Sequence, residues 1–239
     1  MAPFTIFVLL AVMFANSAIT TRKAVEERRK EFFLATSTSA ESNRKAVQNV
    51  STHATTTIIV FGDSITAGYG INSMDAYPAV LERKLRDVGY AVTVINSGVS
   101  GETSAGGLSR AEFVASQKPD IVILALGGND MLRGIDPTST RRNLAGIIET
   151  LKRSGATVIL AGMRASANLG DAYVKQFDAI YPSLAREFDV PLVPFLLEGV
   201  ALDPKLNQRD GIHPNEEGAR VIAEQNILPM LLSLLSSQQ

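Results

Sequence analysis

From Thr55 onward the chain alternates between two hydrophobic patterns. Thr56–Phe61 (TTIIVF), Ala91–Asn96 (AVTVIN), Asp120–Leu126 (DIVILAL), Ala156–Ala161 (ATVILA) and Val190–Phe195 (VPLVPF) are short apolar or β-branched runs. Continuous runs of that length predict strands covered on both faces, as in a parallel sheet. Between them apolar positions recur every three or four residues. Tyr77, Val80, Leu81, Leu85 and Val88 fit one helical face, and Leu144, Ile147, Ile148 and Leu151 fit another. The second of these stops at Gly155, a good helix terminator. Val174, Phe177, Tyr181, Leu184 and Phe188 continue the rule, with a kink expected at Pro182. Asn215 is placed to cap a last helix, with Glu216 and Glu217 in its first turn. Five β-α units predict one doubly wound α/β layer sandwich with right-handed crossovers. In such sheets ligands bind beyond the carboxyl ends of the strands.

The first 54 residues follow neither pattern. Ile6 to Ala15 is an unbroken apolar run, softened but extended over Pro3 to Ile19. It is short of the roughly 20 residues a membrane span needs, but it suits the apolar region of an export signal. Ala15-Asn16-Ser17 offers small residues for cleavage, whereas Arg22 and Lys23 follow the run rather than precede it. The expectation is a leader over 1–20, exported to the periplasm or secreted, with membrane anchoring by the same segment as the alternative. Residues 21–54 are charged, then rich in Ser, Thr and Ala, and read as a linker that holds His53 as a solvated residue. The folded domain is expected over 55–239.

Composition narrows the chemistry. The chain has 239 residues, 46% of them hydrophobic and 20% charged, which is ordinary for a globular protein with one core. A formal net charge of −1 leaves no excess of cations to neutralise phosphates, so nucleic acid is not an expected partner. The absence of Cys excludes disulfides, thiolate nucleophiles and Cys-based metal sites. With only two His, any metal site would need mostly carboxylates.

Four segments at or after strand ends carry polar residues among glycines: Gly62-Asp63-Ser64-Ile65-Thr66, Ser97-Gly98-Val99-Ser100-Gly101, Gly127-Gly128-Asn129-Asp130, and Asp210-Gly211-Ile212-His213-Pro214. This topology can bring all four to one crevice. Together they hold what nucleophilic acyl transfer needs. A serine hydroxyl needs a base, and His213 is the sole histidine of the folded body. Asp210, three residues earlier, can reach the imidazole Nδ1–H and hold its tautomer. The Ser64 and Gly98 amides and the Asn129 side chain are candidate donors to an oxyanion, each worth about 10²–10³ in rate. Asp63 and Asp130 read as acceptors that fix their loops.

Each feature alone has a duller explanation. Ser64 could cap a helix, Gly127-Gly128-Asn129-Asp130 could be turn chemistry, and an Asp-x-x-His spacing arises by chance. Their joint occurrence, in order, at successive strand ends favours catalysis. Other motifs fail. Gly68-Tyr69-Gly70 lacks the third glycine of a dinucleotide fingerprint, and Thr66 stands where a Gly-x-Ser-x-Gly elbow needs glycine. Asp63 would repel the phosphate of a flavin.

With these motifs in place, the chain resembles the GDSL, or SGNH, hydrolase superfamily over essentially all of 55–239. Ser64, Gly98, Asn129 and His213 match the four named residues, and Asp210 completes the triad. The wording FGDSITAGYG, INSGVSGETSAGG, LALGGNDMLRG and DGIHPNEEGA is similar to the bacterial thioesterase I, lysophospholipase and arylesterase group. Ile65 stands in place of the Leu of the GDSL name, a change of apolar shape alone. The resemblance implies a flavodoxin-like α/β/α sandwich on a five-stranded parallel sheet, no cofactor, and a mobile Gly98–Gly107 loop gating an acyl groove. It implies a serine esterase acting on acyl or aryl esters, and on thioesters or lysophospholipids. The expected partner is such a small ester, and the chain is expected to be a monomer. A carbohydrate O-acetylesterase is the alternative enzyme, and a non-catalytic lipid-binding protein the alternative of another class. Leu132, Met163 and Leu169 are candidates for the pocket wall. With an ordinary imidazole near pKa 6.5 as base, the rate should rise from about pH 6 to 8.

Overall fold

A computed structural model describes residues 55–237. The leader and linker assigned to 1–20 and 21–54, with His53, lie outside the described residues. Five parallel strands stand in the order β2-β1-β3-β4-β5: β1 (Thr56–Gly62), β2 (Val92–Gly98), β3 (Ile121–Ala125), β4 (Thr157–Ala161) and β5 (Leu192–Val193). Around them run α1 (Ser64–Ala67), α2 (Tyr77–Asp87), α3 (Ser104–Ser116), α4 (Gly128–Leu132), α5 (Pro137–Arg153), α6 (Asp171–Asp178), α7 (Ile180–Phe188), α8 (Glu216–Val221) and α9 (Leu228–Ser236). The doubly wound α/β sandwich is therefore as expected. α2 packs with the C-terminal segments on one side of the sheet, while α3, α5, α6 and α7 pack among themselves on the other.

The burial of each strand follows its place in that order. β3, with a neighbour on each side and helices over both faces, is buried at every residue from Ile121 to Ala125. β2 is an edge, and its residues are mostly half-exposed, so its run is less covered than the sequence implies. β5 is shorter than Val190–Phe195. Pro191 and Pro194 bracket the two paired residues, and neither ring can donate to the ladder.

The helical faces land as their spacing predicts, with Tyr77, Val80, Leu81 and Leu85 buried on α2 and Leu144, Ile147, Ile148 and Leu151 on α5. Val88 departs from the expectation: it lies just past the end of α2 and is exposed. The single kinked helix expected around Pro182 is two helices, α6 and α7, broken at Ala179. Pro182 has no N–H for the carbonyl of Asp178, and its ring crowds that group, so the break falls there. Pro229 acts similarly on the last helix: a π-helical stretch, Ile222–Ile227, separates α8 from α9.

Gly98–Gly107 is not a single loop. Gly98 closes β2 and residues from Ser104 onward are helical, leaving only 99–103 between them. The Thr103 hydroxyl caps α3 by accepting from the Gly106 N–H, and Gly107 packs on the side chain of Leu126, where a Cβ would come within 2.3 Å.

The direction of winding reverses between the parallel strands β1 and β3, whose connections leave toward opposite edges of the sheet. That switch point opens a crevice at the strand tips. Ser64 follows β1 and Asn129 follows β3, so the two flank it.

Candidate active site

The nucleophile candidate sits on a single helical turn pressed onto two strand ends. Asp63 caps that turn, its Oδ1 accepting from the Ile65 N–H at 3.0 Å. Gly62 and Gly98 allow the close approach. A Cβ on Gly62 would lie 2.0 Å from Thr66 Oγ1, and one on Gly98 2.2 Å from the Ala67 nitrogen. Below the turn, the Thr66 hydroxyl shares a buried 2.8 Å bond with the Tyr77 hydroxyl, and Asn96 Nδ2 donates to the Thr66 carbonyl at 2.8 Å. Burial pushes the Tyr77 phenol well up, so it stays neutral. Ser64 is thereby held at the strand tip with little freedom.

The late turn is organised by one carboxylate. Asp210 Oδ1 accepts from the Ile212 and His213 amides at 2.9 and 3.0 Å, and Oδ2 meets His213 Nδ1 at 2.6 Å. These bonds hold the Asp210 carboxyl down at about 2, the His213 amide and ring contributing most. A carboxylate at Nδ1 makes that nitrogen the donor, which leaves Nε2 as acceptor. Nε2 lies 2.9 Å from Ser64 Oγ. Across 149 residues of sequence, the fold has joined Asp210, His213 and Ser64 in one chain of hydrogen bonds. Gln208 ties the two loops by donating from Nε2 to the carbonyls of Tyr69 and Pro214 at 2.7 and 2.9 Å.

Asn129, on α4, reaches toward both sides of the crevice. Its Nδ2 donates to the Glu102 carbonyl at 3.0 Å and approaches Asp63 Oδ2 at 3.4 Å. Asp130 beside it is fully buried, accepting from the Ser104 amide at 2.7 Å, the Ser104 hydroxyl and the Thr140 hydroxyl. Both aspartates are thus the loop-fixing acceptors that their positions imply. Desolvation raises the Asp63 carboxyl to about 6.

Comparison with known proteins bears on this constellation. The profile of the GDSL-like lipase/acylhydrolase family matches residues 60–221, a span that runs from β1 past His213. The chain belongs to that family. It is 40% identical to esterase TesA of Pseudomonas aeruginosa over 76% of this chain and 90% of that one. It is 42% identical to thioesterase 1/protease 1/lysophospholipase L1 of Escherichia coli K12, over 72% of this chain and 81% of the relative. Among solved structures it resembles AlinE4, an SGNH-hydrolase family esterase, with a TM-score of 0.65 and 45% identity over 79% of this chain and 96% of that one.

This GDSL-family chain is an ester hydrolase with the SGNH-type sheet, and its site differs in detail from the sequence expectation. Gly98 was expected to offer its amide to an oxyanion. That N–H instead donates to Asn96 Oδ1 at 3.0 Å, and Gly98 serves the packing of β2 on α1. Three residues on, Gly101 has a φ of +79°, and its N–H has no acceptor among the described residues. It directly precedes Glu102, whose carbonyl holds Asn129. Sequence alone offers no means of choosing between two glycines three residues apart.

Two further features escaped the sequence reading. The Tyr69 ring lies against the His213 imidazole, centroids 4.8 Å apart, and stays half-exposed. Beside Ser64 and His213 lies a cavity of about 10 Å³, room for roughly one water, lined by Ile65, Tyr69, Ile71, Pro214 and Ile222 among others. None of Leu132, Met163 and Leu169 lines it. Met163 is buried, Leu132 is exposed on the surface, and Leu169 ends a short 3₁₀ turn. Among the described residues no His, Asp and Glu cluster suits a metal ion, and no helix is long and apolar enough to cross a membrane.

Proposed function

We propose that the protein hydrolyses carboxylic esters, acyl or aryl, and with them acyl thioesters or lysophospholipids, through an acyl-enzyme on Ser64. The observation that carries this is the relay from Asp210 Oδ2 to His213 Nδ1 at 2.6 Å and from His213 Nε2 to Ser64 Oγ at 2.9 Å. His213 Nε2 takes the Ser64 proton as Oγ attacks the acyl carbon. The imidazolium, stabilised by ionised Asp210, then returns that proton to the departing alcohol or thiol. Water enters with His213 again as base, and cleavage of the acyl-enzyme restores the Ser64 hydroxyl. The Ser64 amide, the Gly101 amide and Asn129 Nδ2 are the proposed oxyanion donors. The oxyanion displaces the long contact between Asn129 and Asp63, while the 3.0 Å bond to Glu102 keeps the amide aimed.

An apolar acyl substrate is supported by a further pattern. Large apolar side chains are exposed in or shortly after the four site segments: Tyr69, Val99, Leu132 and Ile212. The test is kcat/KM across p-nitrophenyl esters from acetyl to palmitoyl, with Ser64→Ala as blank. Higher values at eight carbons or more support the long-acyl reading. Activity confined to acetyl overturns it in favour of a sugar O-acetylesterase. Failure of a serine-directed phosphonate to label Ser64 overturns the catalytic reading and favours a lipid-binding protein. We also propose export, on the apolar run Ile6 to Ala15, and action as a monomer. Fractionation of cells expressing the full chain and light scattering test these two.

A further inference from the structure

Arg110 lies outside the relay, yet its guanidinium joins three segments that carry the site. Nε and Nη2 grip both carboxylate oxygens of Glu102 at 2.7 and 2.5 Å. Nη1 donates to Ser97 Oγ at 2.7 Å, and Nη2 to the Ser97 carbonyl at 2.8 Å and the Gly62 carbonyl at 3.3 Å. The guanidinium lies 4.2 Å from the centre of the Phe61 ring. Gly62 stands two residues before Ser64, Ser97 is the last residue but one of β2, and Glu102 follows Gly101.

The Glu102 side chain is 7% exposed and that of Arg110 20%, so this pair is largely withdrawn from water. Desolvating two charges is costly, and an apolar pair would hold α3 against β1 equally well. What only a guanidinium supplies is a planar fork that bonds a carboxylate and two backbone carbonyls together. The load on Glu102 is then plain. Its carboxylate is clamped by Arg110, while its carbonyl receives Asn129 Nδ2 at 3.0 Å. Its neighbour Gly101 is held from the other side, where Arg133 Nη2 donates to the Gly101 carbonyl at 2.8 Å.

We propose that Arg110 and Glu102 are positioning residues that preset the oxyanion donors, fixing segment 99–103 so that the Gly101 amide and Asn129 Nδ2 are aimed before substrate arrives. This rests on the serine-hydrolase reading of the same site. The clamp touches neither Ser64 nor the acyl chain, so its loss should act on kcat rather than KM.

The test is a double-mutant cycle on the full-length enzyme with a short p-nitrophenyl ester, recording kcat, KM and thermal melting. Arg110→Ala and Glu102→Gln should each lower kcat about 30- to 100-fold with KM changed less than about threefold, a fraction of the loss of a whole oxyanion donor. In an Asn129→Ala background the same substitutions should cost less than about threefold more, because the donor they position is already gone. Added guanidinium below denaturing concentration should restore part of the kcat of Arg110→Ala but not of Arg110→Lys. Full additivity with Asn129→Ala, or a wild-type kcat in a cooperatively melting variant, overturns the proposal. If Arg110→Ala fails to melt cooperatively, the shape-conserving Glu102→Gln carries the same criteria. Ser64→Ala separates the two readings. If it retains activity, the serine mechanism falls and the clamp with it; if it is inactive while the cycle is additive, only the clamp falls.

Discussion

Two aspartates flank the reacting pair, one residue before Ser64 and three before His213, and their surroundings are opposite. Asp210 lies on an exposed turn and accepts three hydrogen bonds from its own loop, so its carboxyl is pulled down to about 2. Asp63 is 4% exposed, with one short bond from the Ile65 amide and a long one from Asn129, and burial lifts it to about 6. The same side chain is therefore a fixed anion at one edge of the site and, at the other, a carboxyl that keeps its proton up to about pH 6. Exposure and donor count decide which. An always-ionised Asp210 suits the stabilisation of an imidazolium. A charge on Asp63 beside Asn129 would oppose an oxyanion, and below about pH 6 the raised carboxyl lessens that opposition.

The strongest way to break this comparison is to remove the base between the two. His213→Ala should cut kcat by about 10⁵- to 10⁶-fold, since base and nucleophile act as a unit. A loss below about a hundredfold, followed in steady-state ester hydrolysis, would leave no role for the relay. Asp210→Asn should cost about 10³- to 10⁴-fold in kcat with KM nearly unchanged, because an amide can select the wrong imidazole tautomer. Equal losses for Asp210→Asn and Asp63→Asn would erase the distinction between the two carboxylates.

Asp63→Asn should instead show itself in stability. A carboxyl raised to about 6 keeps its proton in the folded chain while the unfolded chain has released it near 3.8. Its contribution is present at low pH and is lost as pH rises through about 6. Relative to Asp63→Asn, the wild type should lose up to about 3 kcal/mol between pH 4 and 6 in urea titrations, with kcat changed about tenfold or less. Asp210 works in the other direction, its contribution present above pH 4 and lost as pH falls toward 2. Parallel pH profiles for wild type and Asp63→Asn would mean that Asp63 is already ionised. The smallest effect is expected at Ile65, which is half-buried beside the nucleophile. Ile65→Leu conserves volume and should alter kcat/KM less than about threefold.

Much of this molecule was legible before its structure. Three of the four apolar runs from Thr56 to Ala161 became strands that are largely buried, the fourth being the half-exposed edge β2, and the three-to-four spacing on α2 and α5 marked the faces that are buried. Ser64, Asn129, Asp210 and His213 stood out because they occur together, in order, at or after successive strand ends. Proline cost the most accuracy: Pro191 and Pro194 cut β5 to two residues, and Pro182 split one helix into two. The donor role of Gly98 was misjudged because which amide is free depends on Asn96, whose side-chain direction no local pattern reveals.

Periodicity, turn chemistry and residue type are local properties, and by themselves they determined the parallel sheet, its doubly wound class and the inventory of reactive groups. Distances across the fold are not local. Only the tertiary structure decided that His213 lies 2.9 Å from Ser64, that Arg110 clamps Glu102 under Asn129, and that Asp63 is buried while Asp210 is not. Solvation and hydrogen-bond partners set charge and aim, and both are fixed by what the rest of the chain brings alongside.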